Sequence, residues 1–249
     1  MKKLVCILLA AAIMLTLGAC GDERNAADAV LGGLETGKSA PSAEQSAPAE
    51  TEALAPEEEP AAEEELDAVE VLGEKDDNSY ANRALKIRAT LPKNWVIFSE
   101  EQIAQIYGYV ADITSSEALA ELLRKSGTLC DLYAAADNGT DNLNIAIQAL
   151  SAVQGGWISE ERYLELSVPQ VSEAFRQMGM QDVTTEKGSC VFAGAEHCSL
   201  LVSAKNGEIR FYERMVLLKA GNYMGVVTAA SQDKDRLDDI LGFFEAYSG

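Results

Sequence analysis

From residue 85 onward, apolar and polar positions either alternate or recur in helical steps, and the changing period predicts a succession of short strands and helices. Leu85, Ile87 and Ala89 alternate with Lys86, Arg88 and Thr90, the period-2 pattern of a half-buried strand. Leu91-Pro92-Lys93-Asn94 then turns the chain into a second strand, Trp95-Val96-Ile97-Phe98. Ser99 followed by Gln102 predicts a capping box and a helix to about Gly108, and Ser116 opens another that runs to Lys125 and closes at Gly127. After Asp137-Asn138-Gly139-Thr140, Leu143, Ile145 and Ile147 alternate with Asn144, Ala146 and Gln148, which predicts a hairpin with an Asn-Gly turn.

Ser159 begins the longest helical pattern. Leu164, Val168, Val171, Phe175 and Met178 fall on one stripe, and Pro169 is expected to kink or split it. Strands follow at about 183–192, 197–204, 208–219 and 222–230, with Asn206-Gly207 and Gly221-Asn222 at turns. A last helix from Gln232 is expected to bury Leu237, Ile240, Leu241 and Phe244. Consecutive strands joined by tight turns run antiparallel, so the predicted class is α+β: a meander sheet with helices packed on its faces.

The first twenty residues have a different pattern. Lys2 and Lys3 precede an uncharged apolar run, Leu4 to Leu17, that ends in Leu17-Gly18-Ala19-Cys20. The run is short for a permanent membrane span, which needs about 20 residues, and reads as an export signal. Leu-Gly-Ala-Cys resembles the lipobox of bacterial lipoproteins. The resemblance implies that residues 1–19 are a cleaved signal peptide, that Cys20 is the lipid attachment residue, and that acyl chains such as palmitate hold the chain to the extracytoplasmic face of a cell membrane.

Composition separates the remainder into two parts. The 249 residues carry 40 acids against 20 bases, a formal charge of −20, which argues against nucleic acid as a partner. Residues 21–78 hold 18 of those acids and 3 bases, in runs such as Pro56-Glu57-Glu58-Glu59-Pro60. Like charges, Pro and a scarcity of large apolar residues predict a disordered tether over residues 20–78. The folded domain is expected over residues 79–249, where the charge is ordinary. Gly32 to Ser39 match the pattern of a nucleotide-binding P-loop. Pro41 and a Ser/Ala/Pro/Glu stretch follow where the motif requires a helix, so a spacer is expected there instead.

Leu91-Pro92-x-x-Trp95, Asn142-x-Asn144-Ile145, Tyr163-Leu164-Glu165-Leu166-Ser167 and Ala193-Gly194-Ala195-Glu196 occur in this order among the predicted elements. In that order the chain resembles the PsbP-like (PsbP/DcrB-type) superfamily over about residues 80–249. The resemblance implies an α/β/α sandwich that binds a partner rather than performing catalysis. No site residue carries over from it.

Catalytic constellations are hard to assemble. His197 is the only histidine and neighbours Cys198 on a predicted strand, where successive side chains point to opposite faces, so a structural or surface role is expected. Cys130, in phase with Leu132 and Ala134, is expected to be a buried, inert thiol. Cys190 and Cys198 flank a turn near Gly194. An even-length loop places Cys190 opposite Ser199, whereas an odd loop with a Gly bulge brings the two sulfurs together, so a disulfide depends on one residue of register.

The acids from Asp233 to Asp239 lack the Gly and the terminal Glu of a calcium loop and fit the first turn of a helix. Trp157, in Gly155-Gly156-Trp157-Ile158, is the candidate recognition aromatic. No catalytic residue, cofactor or metal is assigned. The expectation is a membrane-anchored lipoprotein serving as a non-enzymatic binding or accessory module for an envelope protein or small ligand. The alternatives are a carboxylate-dependent hydrolase of the cell envelope and a carrier of a small apolar ligand.

Overall fold

The computed structural model describes residues 65–109, 115–150 and 158–248. The export signal, Cys20, Gly32 to Ser39, nearly all of the expected tether and Trp157 lie outside these residues. The predicted α+β class is observed, with two antiparallel sheets and four helices among the described residues.

The larger sheet has seven strands: β4 (Trp95–Ile97), β5 (Thr128–Ala136), β6 (Asn142–Ala149), β7 (Gln181–Phe192), β8 (Ala195–Asn206), β9 (Ile209–Ala220) and β10 (Tyr223–Ser231). They lie in the order β4-β5-β6-β10-β9-β8-β7, every neighbour antiparallel, so β10 is the central strand. Short connections explain this topology, because a two-residue loop can only return the chain alongside itself. At Ala193-Gly194 both residues have positive φ, 48° and 85°, the conformation that matches the twist of a two-residue hairpin.

The helices are α1 (Glu100–Tyr107), α2 (Ser116–Ser126), α3 (Glu160–Gln177) and α4 (Arg236–Leu241). Ser99 and Gln102 form the predicted capping box on α1, and Gly108 and Gly127 close α1 and α2 in the left-handed conformation. Ser159 caps α3, which runs unbroken through Pro169. The expected split is absent because Pro169 and Glu165 face solvent, so water can satisfy the Glu165 carbonyl that Pro169 leaves without a donor.

Alternation along the strands sends side chains to two apolar layers. On one face, Tyr163, Leu164, Val171 and Phe175 of α3 and Ile103 of α1 pack on Ala146, Leu200, Val202, Met215, Met224 and Val226. On the other, Leu119 and Leu123 of α2 and Leu237 and Ile240 of α4 pack on Leu129, Ile145, Ile147, Val216 and Val227.

A second, smaller sheet completes this latter face. It comprises β1 (Glu74–Asp76), β2 (Ser79–Asn82), β3 (Ile87–Thr90) and β11 (Phe244–Ala246), in the order β1-β2-β3-β11. The predicted single meander lacks it. Phe244, expected on the last helix, instead pairs with Ala89.

The folded part also begins before the expected boundary at residue 79. Ala68 and Val71 are 1% and 0% exposed within the core. The Leu66 amide donates to Asn222 Oδ1 at the β9–β10 turn (2.9 Å), and Arg124 of α2 pairs with Asp67 at 2.9 Å. Four apolar residues within an acid-rich stretch are enough to dock it.

Asp131 fixes this segment. It occupies a β-bulge between Cys130 and Leu132 and is buried. Its Oδ2 accepts from the Tyr80 hydroxyl (2.6 Å) and the Gly73 amide (2.9 Å), while Asn82 donates to the Tyr80 oxygen (3.0 Å). The bulge reverses the expected phase of Cys130, which faces the α3 side while Leu132 and Ala134 face the other. Burial pushes the Cys130 thiol up to about 12 and leaves it protonated.

Candidate functional site

Among the described residues, those singled out in the sequence do not converge. Cys190 and Cys198 are free thiols. Neither register considered for the candidate disulfide is the observed one: the turn is Ala193-Gly194, one residue earlier than a loop centred after Gly194, so Cys190 lies opposite His197 and Ser189 opposite Cys198. Cross-strand partners share a face, and the two sulfurs therefore point to opposite faces.

His197 Nδ1 lies 3.1 Å from Glu160 Oε1. The same carboxylate accepts from the Cys198 and Lys219 amides at 3.3 and 3.2 Å, beyond the last β8–β9 pair, Ser199 with Val216. Glu160 thus wedges the splayed ends of β8 and β9, and His197 buttresses it, a structural role.

The terminal acids are distributed as a helix terminus requires. Asp238 and Asp239 sit in the first turn of α4, paired with Arg214 and Arg236 respectively. No group of three or more metal-ligating side chains converges among the described residues.

A cleft forms instead where α1 overhangs the open ends of β4, β5 and β6. Val96, Phe98 and Gln102 line one side, and Tyr133, Ala135, Asp137 and Asn142 the other, around about 320 Å³. The capping box at Ser99 aims α1 and holds Gln102 at the rim. Phe98 meets Tyr133 edge to face, with ring centroids 5.0 Å apart, and the Phe98 amide donates to the Tyr133 carbonyl (2.9 Å). The Asn138 side chain accepts from the Thr140 and Asp141 amides and shapes the β5–β6 turn at the cleft mouth. Asp141, also in the wall, is buried and bound by Ser231 Oγ (2.8 Å), Thr140 Oγ1 (3.2 Å) and Arg236 Nε (3.3 Å).

The sheet beneath and behind this cleft is unusually polar. Asn142, Asn144, Thr228 and Glu213 all face the α3 side, alternating with residues of the opposite core layer. They occupy adjoining register rows: Asn144 lies opposite Thr228, and Ala230 separates Asn142 from Glu213. Neighbours in such rows stand about 5 Å apart. All four are 1–2% exposed. Asn142 Oδ1, Asn144 Nδ2, Thr228 Oγ1 and both Glu213 oxygens have no hydrogen-bond partner among the described residues.

Groups of this kind cost about 1–3 kcal/mol each when left unmade, and nearly all buried polar atoms in folded proteins are paired. Burial alone pushes the Glu213 carboxyl from 4.5 up to about 8, so it is mostly protonated at neutral pH. The patch is therefore a set of uncharged donors and acceptors, with Asn142 in the cleft lining and Glu213 two strands away from it.

Sequence reasoning noticed Asn142-x-Asn144 only as part of a resemblance and missed Glu213. The available signal was an acid in the inward phase of Phe211-Glu213-Met215.

Comparison with known proteins gives no family. No family model and no curated protein matches the chain. Among solved structures, LpqN, described as involved in cell envelope biogenesis of Mycobacterium tuberculosis, aligns with a TM-score of 0.36 at 10% identity, covering 65% of this chain and 83% of its own. A protein of unknown function from Pseudomonas aeruginosa, PA94, described as a putative regulator, aligns with a TM-score of 0.26 at 10% identity, covering 41% of this chain and 66% of its own. No helix among the described residues is long and apolar enough to cross a membrane.

Proposed function

We propose that the protein is a lipoprotein anchored through Cys20 on the extracytoplasmic face of a cell membrane, and that its folded part is a PsbP-like, non-enzymatic binding module whose recognition site is the α1–β5–β6 cleft. The observation that carries the binding role is Asn142: an almost fully buried side chain on the cleft floor whose carbonyl oxygen lacks a donor. An orphaned acceptor on a residue that lines a concave surface with an aromatic wall fits a small-molecule site. The anchor rests on Lys2-Lys3, the apolar run and Leu17-Gly18-Ala19-Cys20.

Binding is favoured over hydrolysis because Asp141 is engaged by Arg236, Ser231 and Thr140, which suits a wall better than a general acid or base. An apolar carrier would need space between helix and sheet, and Tyr163, Leu164, Val171 and Phe175 fill the interface beneath α3.

Two measurements test the reading in the producing cell. The mature chain should partition into detergent and weigh more than its amino acids, and Cys20→Ala should abolish both properties. A photo-crosslinking residue placed at Gln102, on the cleft rim, should yield a discrete adduct, whereas one at exposed Lys93 should not. Equal labelling from both positions would refute the cleft as the recognition site.

A further inference from the structure

The lining of the cleft specifies more than that something binds there. We infer that it takes a small organic cation, a primary ammonium on a short apolar or aromatic body; this rests on the cleft being the recognition site.

Charge comes first. The carboxylates lining the cleft are Asp137 and Asp141. Asp141 is neutralised by Arg236, while Asp137 is exposed at the mouth. Among the described residues no Lys or Arg lines the space, so a carboxylate or phosphate ligand would meet Asp137 with no cation in the lining to offset it. The unmet need on the floor is for a donor, because Asn142 Oδ1 is an acceptor. An ammonium group carries three donors and no acceptor. Asn142 lies opposite Ala135, two residues before Asp137, and both line the cleft, so one ammonium can serve them together, its hydrogen bond to Asn142 being charge-assisted. Phe98, partly exposed and backed edge to face by the buried Tyr133, supplies a wall for the body of the ligand and an aromatic surface that attracts a cation. A space of about 320 Å³ is at the small end for ligand sites, which run from about 300 to 1,000 Å³.

The test uses three probes with the same body and different heads: phenethylammonium, 2-phenylethanol and phenylacetate. Each is titrated by calorimetry and amide NMR into the full chain carrying Cys20→Ser. Phenethylammonium should bind, shift the Asn142 side-chain amide resonances and weaken as salt is raised. The alcohol should bind about tenfold more weakly, and phenylacetate should cause no shift.

Asp137→Asn, a surface change that leaves the core intact, should weaken the cation severalfold and reduce its salt dependence, while leaving the alcohol unaffected. If the alcohol or the acid matches the ammonium, the cation assignment falls while the cleft remains a binding site. If none of the three moves the Asn142 resonances, the cation assignment falls as well, and the crosslinking test decides the cleft separately.

Discussion

Replacing Glu213 by Gln should make the protein more stable, and by an amount that grows with pH. The wild-type carboxyl has a pKa of about 8 in the folded chain against 4.5 in an unfolded one, because burial penalises its anion. Between these values the folded state holds a proton that the unfolded state has released. Stability from this group is therefore fully present below about pH 4.5 and falls as pH rises towards 8. Each pH unit corresponds to about 1.36 kcal/mol. The loss is then about 3 kcal/mol at pH 7 and approaches about 5 kcal/mol above pH 8.

Gln has the same shape and no proton to lose, so Glu213→Gln should match wild type near pH 4.5 and exceed it increasingly above that. Urea unfolding at pH 5, 7 and 9, followed by the fluorescence of buried Trp95, measures the difference. Other titrating groups cancel, since they are common to both chains. A stability difference that stays constant across the three pH values would refute the assignment of Glu213 as a buried, unpartnered acid.

Gly73→Ala should destabilise the fold by about 2–4 kcal/mol, measured by the same unfolding assay, because a Cβ there would lie 2.2 Å from the Tyr80 ring and displace it from Asp131. Ala193→Asn should stabilise by about 0.5–1 kcal/mol in thermal melts, since Asn tolerates the left-handed conformation that Ala193 adopts in the β7–β8 turn. Thiol labelling at pH 8 should modify the partly exposed Cys190 and Cys198 in the folded chain, and Cys130 only after denaturation. Loss of labelling at Cys190 and Cys198 that a reductant restores would indicate the disulfide that the register excludes.

What the sequence disclosed was local. The capping box at Ser99, the Asn-Gly turn at Asn138 and the long β7–β10 meander are written in neighbouring residues and lie close to where periodicity placed them. What it concealed depends on distant pairing. The small sheet brings β11 beside β3, with Phe244 against Ala89, and three residues of strand at the end of a helical pattern give no period to read. The docking of Ala68 and Val71 was hidden by the acids around them.

The cleft shares this property. The polar patch behind its floor is assembled from β6, β9 and β10, and Asn142 and Glu213 share one register row only through Ala230 on the strand between them. The position of the disulfide candidates turned on one residue in a two-residue loop, a precision that composition and spacing do not carry.

The bond from the Leu66 amide to Asn222 has a mechanical consequence. It fastens the start of the described chain to the β9–β10 turn, beside the central strand of the larger sheet. Tension arriving along the preceding residues therefore meets this bond and the packed side chains of Ala68 and Val71 before it reaches β1, an outer strand of the smaller sheet. A load applied directly to β1 would peel an edge strand one rung at a time; the docked stretch ahead of it has to come away first.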